Sequence, residues 1–487
     1  MSTERKPRRD DVIDVAIERL DARGRGLGRT DWNGEGYSVK LRGLPGQRVR
    51  ARVAKRRRNA LEAHVIEELE PSPFAVPARC SHYPSCGGCA FQDLAYEAQL
   101  VELHRSVCAA LETHGHDVEV APVIGAERID GYRNKMELGF STRRYLDPEE
   151  LADPHASFVP EGGLALGLHA RGMFGKVIDL VACAIQPDVF DAVADSARRL
   201  AREHGLSAWD VRAHEGLLRH LVLRAGVRTG DLMAYLVTTT EAREQIEPYV
   251  AALLAERPEL TTLVQGVTDR LSTVAVGDSE RVLHGPGTIR ERCLGLEFEI
   301  SPTSFFQTNT EQAERLFAMV REEAALEGRS GPIRVWDLYC GTGSLTLVLA
   351  SAPGGERHVV GFEQNVAAVA NARQNARVNG IENATFFAGD VLDLVRDEAV
   401  RAEAGATPDV VVVDPPRVGL HPKVPARIAE LGPDRIVYVS CNPGSGARDA
   451  AALCEAGYRL VRVRPIDLFP HTPHVETVLV LERQEPV

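Results

Sequence analysis

The sequence has 487 residues, of which 44% are hydrophobic and 26% charged, and its formal net charge is -12 at pH 7. This length allows two or three domains that each bury a core, and the composition is typical of globular proteins. No apolar run approaches the ~18 residues that cross a bilayer, and residues Met1–Asp11 lack the apolar stretch of a signal peptide. We therefore expect a cytoplasmic protein with no membrane partner.

The negative net charge by itself argues against a nucleic-acid partner, but the basic residues are clustered in one run near the N-terminus. Between Leu41 and Ala60 there are eight basic residues and no acid. These are Arg42, Arg48, Arg50, Arg52, Lys55, Arg56, Arg57 and Arg58. A solvated loop would also produce such a run, but clustered cations offer contacts to phosphate that carry affinity without reading sequence.

Residues 1–72 are expected to form a small β-barrel of OB-like type, a fold that commonly binds oligonucleotides. One face of a first strand would carry Ile13, Val15 and Ile17. Three glycines then indicate a turn: Gly24, Gly26 and Gly28. Further short strands are predicted at Tyr37–Leu41 and Val49–Val53.

Residues 73–300 are expected to form a mixed α+β central domain. Apolar runs between residues 132 and 300 predict an antiparallel sheet, and helical patterns occur at Ala192–Glu203 and Glu241–Glu256. The acidic segment Tyr145–Gly163 contains Pro and Gly and is expected to be a loop.

Three cysteines are clustered at the start of this domain, in the pattern Cys80-x5-Cys86-x2-Cys89. A structural zinc site usually has a second Cys-x2-Cys pair, and none follows downstream. Three clustered thiolates with one remote thiolate suit a [4Fe–4S] cluster, although zinc stays open on spacing alone. The fourth ligand would be Cys183, which precedes a turn signal, rather than Cys108, which lies in a helical pattern.

Residues 301–487 alternate helical segments with short apolar strands, which indicates a mostly parallel, doubly wound α/β sheet. The predicted strands are Arg334–Leu338, Val359–Phe362, Thr385–Ala388, Val410–Asp414, Ile436–Ser440 and Thr477–Leu481. The predicted helices are Thr310–Leu326, Asn365–Asn379, Pro425–Leu431 and Gly446–Ala456. Ligands of such sheets bind beyond the carboxyl ends of the strands.

Three of these strand ends carry signals for a nucleoside-containing cofactor. The first strand leads into Asp337-Leu338-Tyr339-Cys340-Gly341-Thr342-Gly343-Ser344, where glycines allow close approach of a ligand to a helix N-terminus. The next two strands end in Glu363 and Asp390, and an acid at such a position accepts ribose hydroxyls. The loop lacks the Gly-x-Gly-x-x-Gly form used for pyrophosphate, which favours S-adenosylmethionine over NAD.

Two further strand ends indicate a nucleobase substrate. Asp414-Pro415-Pro416-Arg417 resembles the element that methyltransferases acting on planar nitrogen use, and Ser440-Cys441-Asn442-Pro443 places a thiol beside the cofactor loop. Carbon 5 of uracil becomes nucleophilic only after a thiolate has added to carbon 6, so Cys441 would need a lowered pKa and partial access. A lone cysteine is more often a buried packing residue, but the position of Cys441 beyond a strand end, just before Asn442-Pro443 and beside the cofactor loop, favours a nucleophile.

The segment Phe469-Pro470-His471-Thr472-Pro473-His474-Val475-Glu476 supplies the candidate base. After methyl transfer, a base must remove the carbon-5 proton so that the thiolate can leave. We expect Glu476 to be this base, with His471 and His474 as supporting or RNA-contacting residues. The two histidines and the acid also match the spacing of a metal site, but no other ligands accompany them.

Together these motifs resemble the RNA uracil-5-methyltransferase family, class I S-adenosylmethionine-dependent enzymes that act on bacterial tRNA and 23S ribosomal RNA. The resemblance covers nearly the whole chain. It implies that the barrel is an RNA-binding TRAM domain, in which Leu44-Pro45-Gly46 and Pro71-Ser72-Pro73 match the family. It implies a Rossmann-like catalytic domain on which a segment near residues 96–123 packs.

The resemblance also implies roles for single residues. The cluster would be held by Cys80, Cys86, Cys89 and Cys183. Cofactor contacts would come from Gln307, Tyr339, Ser344, Glu363, Asp390 and Asp414, although position 344 is often Asn in the family. Cys441 would be the nucleophile and Glu476 the proton acceptor. Because the family flips its target base, Phe305 would stack on it and Arg133 would contact RNA.

Several alternatives stay open at this point. The target would be 23S rRNA, because tRNA-specific relatives generally lack both the TRAM domain and the cluster cysteines, but tRNA is the runner-up. A non-catalytic RNA-binding protein on a methyltransferase fold would not need Cys441 and Glu476. A cytosine-5 enzyme would use a second cysteine, which Asp414-Pro415-Pro416 lacks. A monomer is expected.

Overall fold

The computed structural model describes residues 5–326, 332–405 and 407–484. Its first five strands close a barrel in the order β1-β2-β3-β5-β4. They are β1 (Val12–Leu20), β2 (Gly26–Trp32), β3 (Glu35–Leu41), β4 (Arg48–Arg57) and β5 (Ala60–Glu70). Ile13, Val15 and Ile17 of β1 are each at most 5% exposed and fill the barrel core, as their alternation predicts.

The glycines after β1 do not form the predicted three-glycine turn. Gly24 lies in the turn with φ 75°, whereas Gly26 and Gly28 belong to β2. A Cβ on Gly28 would lie 2.3 Å from the carbonyl oxygen of Ala16 in β1. Gly28 is therefore explained by close approach of two barrel strands, not by a turn.

Part of the basic run is paired with carboxylates on the barrel surface. Arg48 contacts Glu70 at 2.9 Å, and Arg50 contacts Asp14 at 2.9 Å and Glu67 at 2.8 Å. These pairs are exposed and contribute little stability, but they neutralise two of the eight cations. The barrel thus offers fewer unpaired charges to phosphate than the sequence suggests.

The chain next forms α1 (Tyr96–Thr113) and a seven-stranded sheet of order β12-β11-β10-β9-β6-β7-β8. The strands are β6 (Lys135–Ser141), β7 (Ala165–Ala170), β8 (Met173–Asp179), β9 (Leu218–Ala225), β10 (Leu232–Thr238), β11 (Thr262–Val267) and β12 (Ser279–His284). The sheet is antiparallel except for the parallel pair β10–β11. That exception arises because a helix crosses over between these two strands.

The helices of this region are α2 (Pro148–Ala152), α3 (Asp188–Glu203) and α4 (Arg243–Glu256), and α4 is the crossover. The segment 145–163 is not simply a loop, because it contains α2 and a 3-10 turn at Glu161–Gly163. Asp147 and Glu150 form a capping box that satisfies the first backbone amides of α2. A hairpin of β13 (Ile289–Cys293) and β14 (Leu296–Ile300) ends the region.

The last region is a doubly wound sheet of order β17-β16-β15-β18-β19-β21-β20. Its strands are β15 (Ile333–Leu338), β16 (Arg357–Glu363), β17 (Ala384–Ala388), β18 (Val410–Val413), β19 (Arg435–Ser440), β20 (Tyr458–Ile466) and β21 (Glu476–Arg483). The first five are parallel, and β21 is antiparallel between β19 and β20. The predicted fold is confirmed, although β20 was not among the predicted strands.

The helices of the last region cover both faces of this sheet. They are α5 (Thr310–Glu323), α6 (Ser344–Ala350), α7 (Val366–Val378), α8 (Val391–Leu394), α9 (Glu398–Glu403), α10 (Val424–Leu431) and α11 (Pro443–Glu455). Helix α1 also packs here, although it precedes the central sheet in sequence. Its Leu103, Val107 and Leu111 share a buried cluster with Leu453 of α11. In the described parts of the chain, no helix is long and apolar enough to cross a membrane.

Candidate active site

The turn between β15 and α6 has the backbone conformation that its glycines predict. Gly341 and Gly343 have φ values of 55° and 81°, and Tyr339 also adopts a positive φ, 67°. A Cβ on Gly343 would lie 2.9 Å from the Cβ of Ala372 in α7, so only glycine fits without displacement. The turn therefore exposes backbone at the N-terminus of α6, where Ser344 begins the helix.

Acidic side chains follow the next strands, at the same edge of the sheet. Glu363 accepts hydrogen bonds from the Gly341 N–H at 3.1 Å and the Asn365 N–H at 2.8 Å, which ties it to the glycine turn. Asp390 caps α8 by accepting from the Leu392 N–H at 2.9 Å. The structure thus brings Tyr339, Ser344, Glu363 and Asp390 to one edge, as parallel strands require.

Asp337 is a functional candidate that the sequence reasoning did not single out. It is fully buried in β15 and accepts a hydrogen bond from Thr346 Oγ1 at 2.6 Å. Burial raises its pKa to about 7. Burying a carboxyl is costly unless it is hydrogen-bonded, and the bond from Thr346 ties Asp337 to the helix that follows the glycine turn. Its position in the Asp-x-x-Cys-Gly pattern was the available signal.

Phe305 contacts the glycine turn from the segment before α5, in which Gln307 also lies. Gln307 is 7% exposed, and its carbonyl accepts a hydrogen bond from Asn134 Nδ2 at 3.0 Å. The carbonyl of Phe305 accepts from Thr342 Oγ1 at 3.2 Å, while 67% of the Phe305 residue is exposed. An exposed aromatic ring held beside a cofactor loop is available for stacking on a base.

The candidate nucleophile and base lie on neighbouring strands. Cys441 directly follows β19, and Glu476 is the first residue of β21. The register pairs Ser440 with Thr477, so the thiol and the carboxyl emerge side by side at the end of the sheet. Cys441 is half-buried and Glu476 is 3% exposed.

The charge state of this pair differs from the sequence expectation. Burial, Glu476 and Asp414 together raise the pKa of Cys441 to about 11, whereas a lowered pKa was expected. Burial and Asp414 raise the pKa of Glu476 to about 8, and burial raises that of Asp414 to about 7. The expectation was wrong because it included neither the burial of the thiol nor the two carboxyls beside it. Partial access to the thiol is confirmed.

The two histidines of the last motif have different surroundings. His471 is 6% exposed, and Gln99 Nε2 of α1 donates to its Nδ1 at 3.3 Å. His474 Nδ1 lies 3.2 Å from Arg417 Nη2. Burial and the Arg417 charge lower the pKa of His474 to about 4, so it is neutral. Among the described residues, no group of three or more His, Cys, Asp or Glu is arranged to hold a metal ion. This finding applies to the segment from His471 to Glu476 as well.

Four cysteines line one small enclosed cavity between the segment after the barrel and the turn after β8: Cys80, Cys86, Cys89 and Cys183. Burial raises the pKa of Cys86 and Cys89, in the latter case to about 12, and that of Cys183 to about 11. Two sulfurs accept hydrogen bonds, from Gly88 N–H to Cys86 at 3.4 Å and from Gln92 Nε2 to Cys89 at 3.5 Å. Cys108 lies elsewhere, on α1.

The loop after Cys89 is joined to the active-site segment. The backbone N–H groups of Ala90 and Phe91 both donate to the His471 carbonyl, at 2.7 and 3.0 Å. Gln99 Oε1 accepts from the His471 N–H at 2.9 Å. The cysteine segment and the loop that leads to Glu476 therefore share one hydrogen-bond network.

Comparison with known proteins agrees with this geometry. The family described as tRNA (Uracil-5-)-methyltransferase matches residues 288–484, and the TRAM domain matches residues 9–66. The chain is 40% identical over 492 residues to an uncharacterized RNA methyltransferase of Chlorobaculum tepidum, with 98% of each chain covered. It is 39% identical to one of Caldanaerobacter subterraneus, with 97% of this chain and 99% of the relative covered. The chain belongs to the RNA uracil-5-methyltransferase family.

A solved structure agrees with that assignment. The tRNA (uracil-54, C5)-methyltransferase of Pyrococcus abyssi, in complex with S-adenosyl-L-homocysteine, matches with a TM-score of 0.71 and 28% identity. The match covers 96% of this chain and 99% of that one. The protein is thus an S-adenosylmethionine-dependent RNA methyltransferase of the uracil-5 family, with an N-terminal TRAM barrel and a class I methyltransferase fold.

The remaining predicted RNA contact of this methyltransferase, Arg133, lies between the central sheet and the active site. It is partly buried, and its Nε donates to the Lys135 carbonyl at 3.0 Å. Arg133 also lowers the pKa of His474, which shows that its charge reaches the active-site loop. Arg417 and Gln99 are site residues that sequence reasoning did not single out. Arg417 was visible in the motif after β18, whereas no local signal marked Gln99.

Proposed function

We propose that the protein methylates carbon 5 of a uridine in 23S ribosomal RNA through a covalent adduct between Cys441 and carbon 6 of the base. The observation that carries this proposal is the side-by-side emergence of Cys441 and Glu476 from β19 and β21. Covalent catalysis needs a nucleophile and a base at one reacting ring. The family supplies the reaction class.

In the proposed reaction, the Cys441 thiolate forms a bond to carbon 6, and the ring electrons move to give an enolate. S-adenosylmethionine, when bound, would supply the methyl group that carbon 5 gains, and its sulfur–methyl bond would break to leave S-adenosyl-L-homocysteine. Glu476 then accepts the carbon-5 proton, the double bond re-forms, and the bond between Cys441 and carbon 6 breaks. The buried Glu476, with a pKa of about 8, is matched to taking up and releasing a proton near neutral pH.

The cofactor would be held at the strand-end edge of the catalytic sheet. The residues proposed to contact it are Gln307, Tyr339, Ser344, Glu363, Asp390 and Asp414. Support comes from the glycine turn, the hydrogen bond between Glu363 and Gly341, and the complex that the Pyrococcus relative forms with S-adenosyl-L-homocysteine. Phe305 would stack on the target base and Arg133 would contact the RNA, which the exposure of the Phe305 ring supports.

The target is proposed to be 23S rRNA because the family resemblance associates the combination of a TRAM barrel and four cluster cysteines with 23S rRNA enzymes. The barrel alone does not separate the targets, since the match to the Pyrococcus tRNA enzyme covers 96% of this chain. A second candidate target is tRNA, since the Pyrococcus relative is a tRNA (uracil-54, C5)-methyltransferase. Mapping 5-methyluridine by mass spectrometry in both RNAs from a deletion strain decides between them. Loss from 23S rRNA alone is expected, loss from tRNA alone would assign the second target, and loss from neither would refute the function.

We also propose a [4Fe–4S] cluster on Cys80, Cys86, Cys89 and Cys183. The four thiols face one cavity, and the two hydrogen bonds to their sulfurs are of the kind that tunes such clusters. A single zinc ion would hold its sulfurs about 3.8 Å apart, since Zn–S bonds are ~2.3 Å and tetrahedral. Within the described residues these thiols are not arranged around an ion, so the choice of a cluster over zinc rests on the cysteine spacing and on the family resemblance.

The chemical roles are tested with two variants and RNA fragments that contain the target uridine. Cys441→Ala should abolish turnover and form no adduct. Glu476→Gln should form the adduct and transfer the methyl group but fail to release the RNA, so a band resistant to denaturing gel electrophoresis accumulates. Normal turnover by Glu476→Gln would assign the base role to another group.

A further inference from the structure

The proposed nucleophile and base are both held in their protonated forms by their surroundings. The pKa of Cys441 is raised to about 11 and that of Glu476 to about 8, in both cases by burial and by neighbouring carboxyls. Attack on carbon 6 needs the thiolate, and removal of the carbon-5 proton needs the carboxylate. A positive charge that reaches both groups would therefore favour the reactive forms.

Arg417 lies where the two loops of the site meet. Its backbone carbonyl accepts hydrogen bonds from Asn442 Nδ2 and Ser445 Oγ, both at 3.2 Å, which fixes it against the turn that carries Cys441. Its guanidinium Nη2 lies 3.2 Å from Nδ1 of His474, two residues before Glu476. Arg417 thus connects the segment of the nucleophile with the segment of the base.

The surroundings of Arg417 leave its charge available to these two groups. His474 is neutral, because its pKa is lowered to about 4, and its Nδ1 accepts a hydrogen bond from the guanidinium without cancelling the charge. Within residues 5–326, 332–405 and 407–484, no carboxylate lies at ion-pair distance from Arg417. The same guanidinium lowers the pKa of both Cys441 and Glu476, against the effect of Asp414.

We propose that Arg417 is a positioning residue whose charge, held in place by neutral His474, stabilises the thiolate of Cys441 and the carboxylate of Glu476. This inference rests on the proposed function for the roles of those two groups. An exposed arginine in an RNA enzyme also suits a phosphate contact. A contact of that kind alone would leave the ionisation of Cys441 in the free enzyme unchanged, and this difference decides the test.

The test measures the rate at which iodoacetamide alkylates Cys441 in the full-length protein without RNA, from pH 7 to pH 10, by peptide mass spectrometry. The variants are Arg417→Met, Arg417→Gln and Arg417→Lys. Removal of a partly screened unit charge should lower the alkylation rate at pH 8 about three- to tenfold. Arg417→Lys should keep the wild-type rate, since it retains the charge.

Two controls separate this effect from general changes. Cys454, on α11, is half-buried, and its pKa is raised by burial without a contribution from Arg417, so its alkylation should not change in any variant. Arg427→Met removes one cation from α10 and should leave Cys441 unaffected. Equal Cys441 rates in wild type and both neutral variants, or an Arg417→Lys rate as low as theirs, would overturn the inference. Because the assay contains no RNA, its result does not depend on whether the proposed RNA target is correct, so failure of this inference and failure of the proposed function can be told apart.

Discussion

Replacing Glu476 with Gln should make the catalytic domain more stable, and the gain should grow with pH. Glu476 is 3% exposed, and its pKa rises from an ordinary value of 4.5 to about 8 in the folded protein. Between these values the unfolded chain has lost the proton while the folded chain keeps it. Folding must then take up a proton, so the unfolding free energy of the wild type falls as pH rises through this window.

The size of the effect follows from the shift in pKa. One pKa unit corresponds to about 1.4 kcal/mol, so the shift from 4.5 to about 8 costs about 5 kcal/mol once pH exceeds about 8. The cost is absent below pH 4.5, about 1 kcal/mol at pH 5 and about 3 kcal/mol at pH 7. The amide of Gln does not ionise between pH 5 and pH 8, so the free-energy cost of burying it is constant and leaves the pH slope unchanged.

The assay is urea unfolding at pH 5, 6, 7 and 8, followed by the fluorescence of Trp336. This residue is fully buried in the catalytic sheet, and replacing Trp32 and Trp209 with Phe leaves it as the single reporter. The stability difference between Glu476→Gln and wild type should widen by about 3–4 kcal/mol from pH 5 to pH 8. Glu430→Gln on α10, where the side chain is 59% exposed, should show no such slope. A constant difference for Glu476→Gln would refute the reasoning.

Three further outcomes are expected. Gly343→Ala should destabilise the protein by about 1–3 kcal/mol, because the new Cβ meets Ala372. It should also weaken the binding of S-adenosyl-L-homocysteine, measured by calorimetry. Gly380→Ala is the control, because Gly380 also has a positive φ, 62°, but a Cβ there meets no atom within 4 Å, so binding should stay normal. Phe305→Ala should lower methylation about tenfold while changing the unfolding free energy by less than about 0.5 kcal/mol, and unchanged turnover would remove its stacking role. Anaerobically purified Cys89→Ala should lose the iron and the visible absorbance of a cluster, whereas Cys108→Ala should keep both; zinc in the wild type would contradict this.

The catalytic fold was predictable because its signals are local. The apolar runs before Glu363 and Asp414 mark the buried parallel strands β16 and β18 and the edge at which they end, and Asp337 lies within the buried strand β15. The run before Asp390 marks β17, which is an edge strand and mostly half-buried. Strand β20 was missed because arginines at positions 459, 462 and 464 interrupt its apolar pattern. These residues pack along a sheet edge, where Arg464 contacts Glu322 at 2.8 Å.

The charge state of the site was not predictable, because it depends on groups distant in sequence. Cys441 is surrounded by Asp414, Arg417 and Glu476, whose opposing effects on its pKa only the folded chain defines. The hydrogen bond between Gln99 and His471 was not predictable either, because the two residues are 372 positions apart in the sequence. Local patterns therefore pointed to the proposed nucleophile and base but not to their protonation states.

The position of β21 has a consequence for how the enzyme is made. This strand follows β20 in the sequence yet lies between β19 and β20 in the sheet. During translation, the strand that leads to Cys441 therefore has an open edge until the segment that contains Glu476 has left the ribosome. The proposed base, Glu476, thus arrives with the strand that closes the sheet, so a nascent chain completes its core and its proposed catalytic pair together.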